Sequence, residues 1–135
     1  MTKRRLIPTE SQEQQALFQW VALAQARYPD LELLLHIPNE GERDEVAAAW
    51  YARMGLRPGV PDIHLPVPRG QYHGLWIELK RRTGGRLTPK QRAWLEALSA
   101  QGYACYVCRG AEDAIQTIER YLRAEDTPRE KPRCL

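Results

Sequence analysis

No apolar run in this chain approaches the roughly 20 residues needed to cross a bilayer, so a membrane-spanning protein is not expected. The basic start Thr2-Lys-Arg-Arg5 leads into Leu6-Ile-Pro-Thr-Glu10, which lacks the apolar core of a signal peptide. An intracellular protein is the expectation. Cysteine is scarce, and its count of three is odd. Cys105-Tyr-Val-Cys108 matches C-x-x-C by letter, but it falls in the strand-like run Tyr103–Cys108. Residues three apart on a strand face opposite ways and cannot chelate one ion, which argues against a zinc or redox pair. The histidines His36, His64 and His73 show no metal-ligand spacing, and neither an internal repeat nor a low-complexity tract is present.

A strong excess of either charge is also missing: the net charge is +3 and the pI about 8.9, compatible with a polyanionic partner but not demanding one. The local distribution says more. Between Lys80 and Arg92 the chain carries Lys80, Arg81, Arg82, Arg86, Lys90 and Arg92 with no acid among them, a run suited to phosphate contacts. With 135 residues and 43% hydrophobic content, one domain is expected over residues 1–123, followed by a loose charged tail over 124–135 that contains Pro128 and Pro132.

What is there is concentrated in two segments, Gly59-Val-Pro-Asp62 and Ile77-Glu-Leu-Lys80. Leu75, Ile77 and Leu79 alternate with Trp76, Glu78 and Lys80, and Ile63, Leu65 and Val67 alternate with Asp62, His64 and Pro66. Two strands are predicted, each burying one row and turning the other to an open face. If they pair antiparallel with the reversal near Gly70, Asp62 stands opposite Glu78, and directly opposed Cβ atoms lie about 5 Å apart. Two ionised carboxylates that close require a proton or a hard cation between them, and the neighbouring Lys80 suits a site that handles anionic oxygens.

The remaining pattern alternates helix and strand. Thr9 with Gln12 forms a capping box opening a helix to about Arg27; Leu31–Ile37 reads as a buried strand; a helix from about Glu42 to Met54 sets Val46, Trp50 and Met54 on one side. A helix from Pro89 to about Gln101 follows Thr88 as N-cap, a strand spans Tyr103–Cys108, and a last helix runs from Ala111 to Arg123. Trp20, Trp50 and Trp94 are expected in the core, whereas Trp76 shares the row of Glu78 and Lys80. Glu13 lies on the apolar stripe of Leu17, Trp20, Val21 and Ala24, and buried acids need partners. Gln91 closes a second capping box with Thr88, yet also shares a stripe with Trp94, Leu95 and Leu98 that turns it inward.

The order α-β-α-β-β-α-β-α gives an α/β fold, a mixed four-stranded sheet flanked by helices. With Asp62 and Glu78-Leu-Lys80 on its middle hairpin it resembles the restriction-endonuclease-like PD-(D/E)XK superfamily. More narrowly, Ile37-Pro-Asn-Glu40, Gly55–Asp62, Ile77–Lys80, Leu87-Thr-Pro-Lys-Gln91 and Gly102-Tyr103 resemble the VRR-NUC family of virus-type replication-repair nucleases. The resemblance implies an Mg2+- or Mn2+-dependent, structure-selective DNA endonuclease of the replication and repair type. Its substrate would be a Holliday junction or other branched DNA, its products 5′-phosphate ends and its usual state a homodimer. Asp62, Glu78 and the first-helix acid Glu13 would hold metal, Lys80 would assist the attacking water or the charged transition state, and Gln91 would position these groups. Arg81, Arg82, Arg86, Lys90 and Asn39 would contact DNA. A nucleic-acid-binding module on the same fold, with cleavage lost, is the alternative, and the intact Asp62, Glu78 and Lys80 weigh against it.

Overall fold

The computed structural model describes residues 6–38 and 44–124. Helix α1 (Glu10–Ala24) is followed by a 3-10 turn (Pro29–Leu33), strand β1 (Leu35–His36), helix α2 (Glu45–Arg53) and strands β2 (Ile63–Leu65) and β3 (Leu75–Lys80). Helix α3 (Pro89–Ala100), strand β4 (Ala104–Arg109) and helix α4 (Ala111–Leu122) complete the order. The four strands form one mixed sheet, β1-β2-β3-β4, antiparallel except for the parallel pair β3–β4 that α3 connects. Both anticipated capping boxes are present, at Thr9 with Gln12 and at Thr88 with Gln91, where Pro89 fills the first turn.

The hairpin register is the anticipated one. Ile63 faces Ile77, His64 faces Trp76 and Leu65 faces Leu75, and the chain reverses at Gly70 and Gln71 between a bridged Arg69 and Tyr72. Each face of this sheet has a different cover. Ile63, Leu65, Leu75, Ile77, Leu79, Ala104, Tyr106 and Cys108 pack with Leu17 and Val21 of α1 and Ala114, Ile118 and Tyr121 of α4 into the main core. Full burial of each large aliphatic chain there contributes about 1.5–3 kcal/mol. The other face carries His64, Trp76, Cys105, Glu78 and Lys80, with α3, whose Leu95 is fully buried, packed over its β4 side and over Glu78 and Lys80.

Three expectations are corrected. Leu31–Ile37 is not a buried strand: Pro29 opens a 3-10 turn, so Leu31 and Leu34, three apart, are the buried pair, and only Leu35–His36 joins the sheet. Helix α2 begins at Glu45 under an Asp44 cap, and its stripe of Val46, Trp50 and Met54 is solvent-facing, so Trp50 is not a core residue. Trp20 and Trp94 are half-buried. Finally, the row of Glu78 and Lys80 is not open, because α3 closes over it. Cys105 and Cys108 lie on opposite faces of β4, the latter reaching Thr117 on α4. No helix among the described residues is long and apolar enough to cross a membrane. Asn39, Glu40 and the expected tail after Ala124 lie outside the described residues.

Candidate active site

Strand β3 alternates by necessity, so burying Ile77 and Leu79 in the main core sends Glu78 and Lys80 to the α3 face. Asp62 immediately precedes β2, and the β2–β3 register continued by one residue sets it opposite Glu78. Two contacts hold the preceding loop on α3. The indole N–H of Trp94 donates to the Pro58 carbonyl at 3.1 Å, and Gly59, at φ +91, approaches Lys90 so closely that a Cβ would sit 2.8 Å from its carbonyl carbon. Only glycine combines that backbone region with that clearance. Asp62 itself accepts the Leu79 backbone N–H through Oδ2 at 2.8 Å, while its carbonyl accepts from Ile37 N–H at 2.6 Å.

Gln91 performs both roles that its two sequence contexts suggested. Its Oε1 accepts from the Thr88 backbone at 2.9 Å, completing the helix cap, and from Lys80 Nζ at 3.0 Å. Its Nε2 donates to Glu78 Oε1 at 3.0 Å. Lys80 Nζ is also 3.4 Å from Glu78 Oε1. One amide therefore fixes the acid and the ammonium relative to each other, from a helix whose own start fixes the amide.

Glu78 is only 1% exposed, and its second oxygen, Oε2, finds no hydrogen-bond partner among the described residues. Burial, and then the nearby Asp62 carboxylate, push its pKa up to about 8 against the pull of Lys80. Burial likewise raises Asp62, opposed by the Leu79 N–H and reinforced by Glu10. An orphaned, buried carboxylate oxygen beside a second acid is a place a hard cation fits. Asp62 and Glu78 are the residues that would hold it, and a pair is a sufficient protein contribution for Mg2+, which keeps several waters. Among the described residues no group of three or more His, Cys, Asp or Glu side chains is gathered closely enough to hold a metal ion.

The structure does not bring Glu13 to this pair. Glu13 is 1% exposed, as its stripe required, but its oxygens engage Arg82 at 2.8 and 3.3 Å and lie 3.4 Å from the backbone N–H of Ala111. It thus serves as the missing side-chain cap of α4, whose N-cap is Gly110 at φ +90; a Cβ there would sit 2.9 Å from Glu13 Oε2. The acid of α1 within electrostatic reach of both Asp62 and Glu78 is instead Glu10, which the sequence reading passed over. Glu10 and Glu13 are three residues apart in the first turn, and only the docking of α1 decides which of them faces the site.

The basic run is divided in the same way. Arg82 is committed to Glu13, and Arg81 donates to the carbonyls of Pro8 and Ile7, tying the start of α1 to the end of β3. Arg86 and Lys90 are exposed on the loop and first turn beside α3.

The VRR-NUC domain family matches residues 8–112. A solved structure described as a VRR_NUC domain protein superposes with a TM-score of 0.72 at 28% identity, covering 90% of this chain and 93% of that one. No curated protein matches. A match over most of the chain, on a four-stranded mixed sheet of nuclease type, places it in a family: this protein belongs to the VRR-NUC family.

Proposed function

We propose that this protein is a divalent-metal-dependent DNA endonuclease that acts on branched or otherwise structured DNA. The observation that carries the reading is the buried carboxylate of Glu78, with one oxygen held by Gln91 and the other without a hydrogen-bond partner among the described residues, beside Asp62 and Lys80. A cost of that kind, about 1–3 kcal/mol for an orphaned buried acceptor, is what a metal ligand carries before its ion is bound.

Asp62 and Glu78 would hold Mg2+ or Mn2+, which when bound polarises the phosphate and acidifies water. Glu10 is the further acid placed to interact with that pair. Gln91 keeps Lys80 Nζ beside Glu78, where an ammonium offsets charge building on the phosphate oxygens or steadies the attacking water. The bond broken is the phosphodiester P–O bond, with hydroxyl added to phosphorus and the proton delivered to the departing sugar oxygen. Arg86 and Lys90, exposed at the mouth of α3, are the cations available to the DNA backbone. A homodimer is proposed on the strength of the family resemblance, and multi-angle light scattering measures it.

The test is direct. Labelled junction, flap, splayed and plain duplex DNAs are incubated with the protein in Mg2+, Mn2+ or EDTA, beside the Glu78→Ala and Lys80→Ala variants. Cleavage of branched substrates that requires metal and both side chains supports the reading; full activity in Lys80→Ala refutes it.

A further inference from the structure

One rung of the sheet away from Asp62 and Glu78, the same face carries a row of different chemistry. Leu35 of β1, His64 of β2 and Trp76 of β3 are in direct register. The His64 and Trp76 rings stack at 3.9 Å between centroids and 15° between planes, and Tyr103 abuts both edge-on. Burial falls away along the row. Cys105, the next residue on β4, is fully buried, His64 and Trp76 are half-buried, and Leu35 is 43% exposed. Helix α3 packs on the β4 side, so the row opens toward the β1 edge. His64 Nδ1 lies 3.0 Å from the Leu75 carbonyl, which can only accept, so the ring is a fixed Nδ1–H donor held upright. Trp76 covers one face of the imidazole, and Leu35 is the register partner of His64 on the opposite strand.

We propose that His64, backed by Trp76 and flanked by Leu35, is a stacking shelf for one unpaired nucleobase of the strand being cut. The inference rests on the nuclease reading and names the feature of the substrate that would be recognised. A strand rises about 3.3 Å per residue, so the shelf lies roughly 7 Å along β3 from Glu78, a distance one extended nucleotide can bridge. Every nucleobase has a π-face, so such a shelf reads unpairedness rather than sequence. Bases inside an intact duplex are already stacked and cannot reach it without disruption. The shelf therefore favours flaps, gaps and junction arms with an unpaired nucleotide beside the scissile phosphate.

The experiment uses the full chain in EDTA, where binding is read without cleavage. DNAs carry 2-aminopurine either at the first unpaired position of a flap or within a plain duplex. Binding is expected to quench the flap probe beyond its free-DNA value and to leave the duplex probe unchanged. His64→Ala is expected to lose that quenching and to weaken flap binding about tenfold relative to duplex. His64→Phe, which keeps a ring, is expected to restore both and so separates stacking from a folding defect. An unchanged flap-to-duplex ratio in His64→Ala, or no quenching in the wild-type protein, overturns the proposal. Hydrolysis without quenching removes the shelf and leaves the nuclease reading standing; quenching without hydrolysis does the reverse.

Discussion

Glu13 and Glu78 are equally buried, each 1% exposed, and differ in everything else. Glu13 sits on α1 against the start of α4, with its oxygens on Arg82 and the Ala111 N–H; Glu78 sits under α3 with one oxygen on Gln91 and the other without a partner among the described residues. Arg82 is 57% exposed and brings a full charge to Glu13 at little desolvation cost to itself. Glu78 has Lys80, but burial and then the nearby Asp62 carboxylate raise its pKa. The lesson is that burial alone does not mark a functional acid. A buried acid whose partners satisfy it serves the architecture, and one held in place yet left short of partners is the candidate for chemistry.

The two acids are expected to differ most in catalysis. Replacing Glu78 with Gln or Lys80 with Ala is expected to reduce cleavage about 1,000-fold or more, whereas Glu13→Gln leaves the folded protein within a few-fold of wild type. Initial rates on a flap or junction substrate at saturating Mg2+ measure this, and comparable losses at Glu13 and Glu78 would erase the distinction. Next in size is Gln91→Ala, which frees both Glu78 and Lys80 without removing either: a loss of about 10- to 100-fold in rate is expected. Stability should sort the acids the other way. Glu13→Ala leaves the Ala111 N–H without its carboxylate and is expected to cost about 1–3 kcal/mol in denaturant unfolding, while Glu78→Gln costs little or nothing in metal-free protein near neutral pH.

The smallest effect is the pH dependence of stability. The Glu78 carboxyl titrates at about 8 when folded against an ordinary value of 4.5. A raised acid contributes stability that is complete below the unfolded value and lost as pH climbs through the folded one. The Tm of the metal-free protein is therefore expected to fall between about pH 4.5 and pH 8, and the slope to flatten in Glu78→Gln or on adding Mg2+. A Tm that rises over that window in metal-free protein would contradict the unsatisfied state of Glu78.

Much of this was legible from residues in order. Thr9 with Gln12, and Thr88 with Pro89 and Gln91, announced the starts of α1 and α3 because capping is local chemistry within four residues. The register that faces Asp62 with Glu78 followed from two alternating rows and a glycine midway. Leu31–Ile37 misled because its leucines satisfy a strand row as well as a 3-10 turn, and Pro29 tipped the balance. The apolar stripe of α2 was visible, but not its exposure. That Glu10 rather than Glu13 approaches the paired acids was invisible, since both occupy the first turn of α1.

Residue order alone was enough for the capped helix starts, the hairpin register and the placement of Asp62, Glu78 and Lys80 on one face. These depend on side-chain periodicity and on hydrogen bonds between residues close along the chain. The packing of distant segments alone settled that α3 closes over that row, that Arg82 satisfies Glu13 and that one oxygen of Glu78 has no partner among the described residues. Those outcomes depend on groups such as Glu13 and Arg82, 69 residues apart, meeting in a low-dielectric interior, where position along the chain says nothing about proximity.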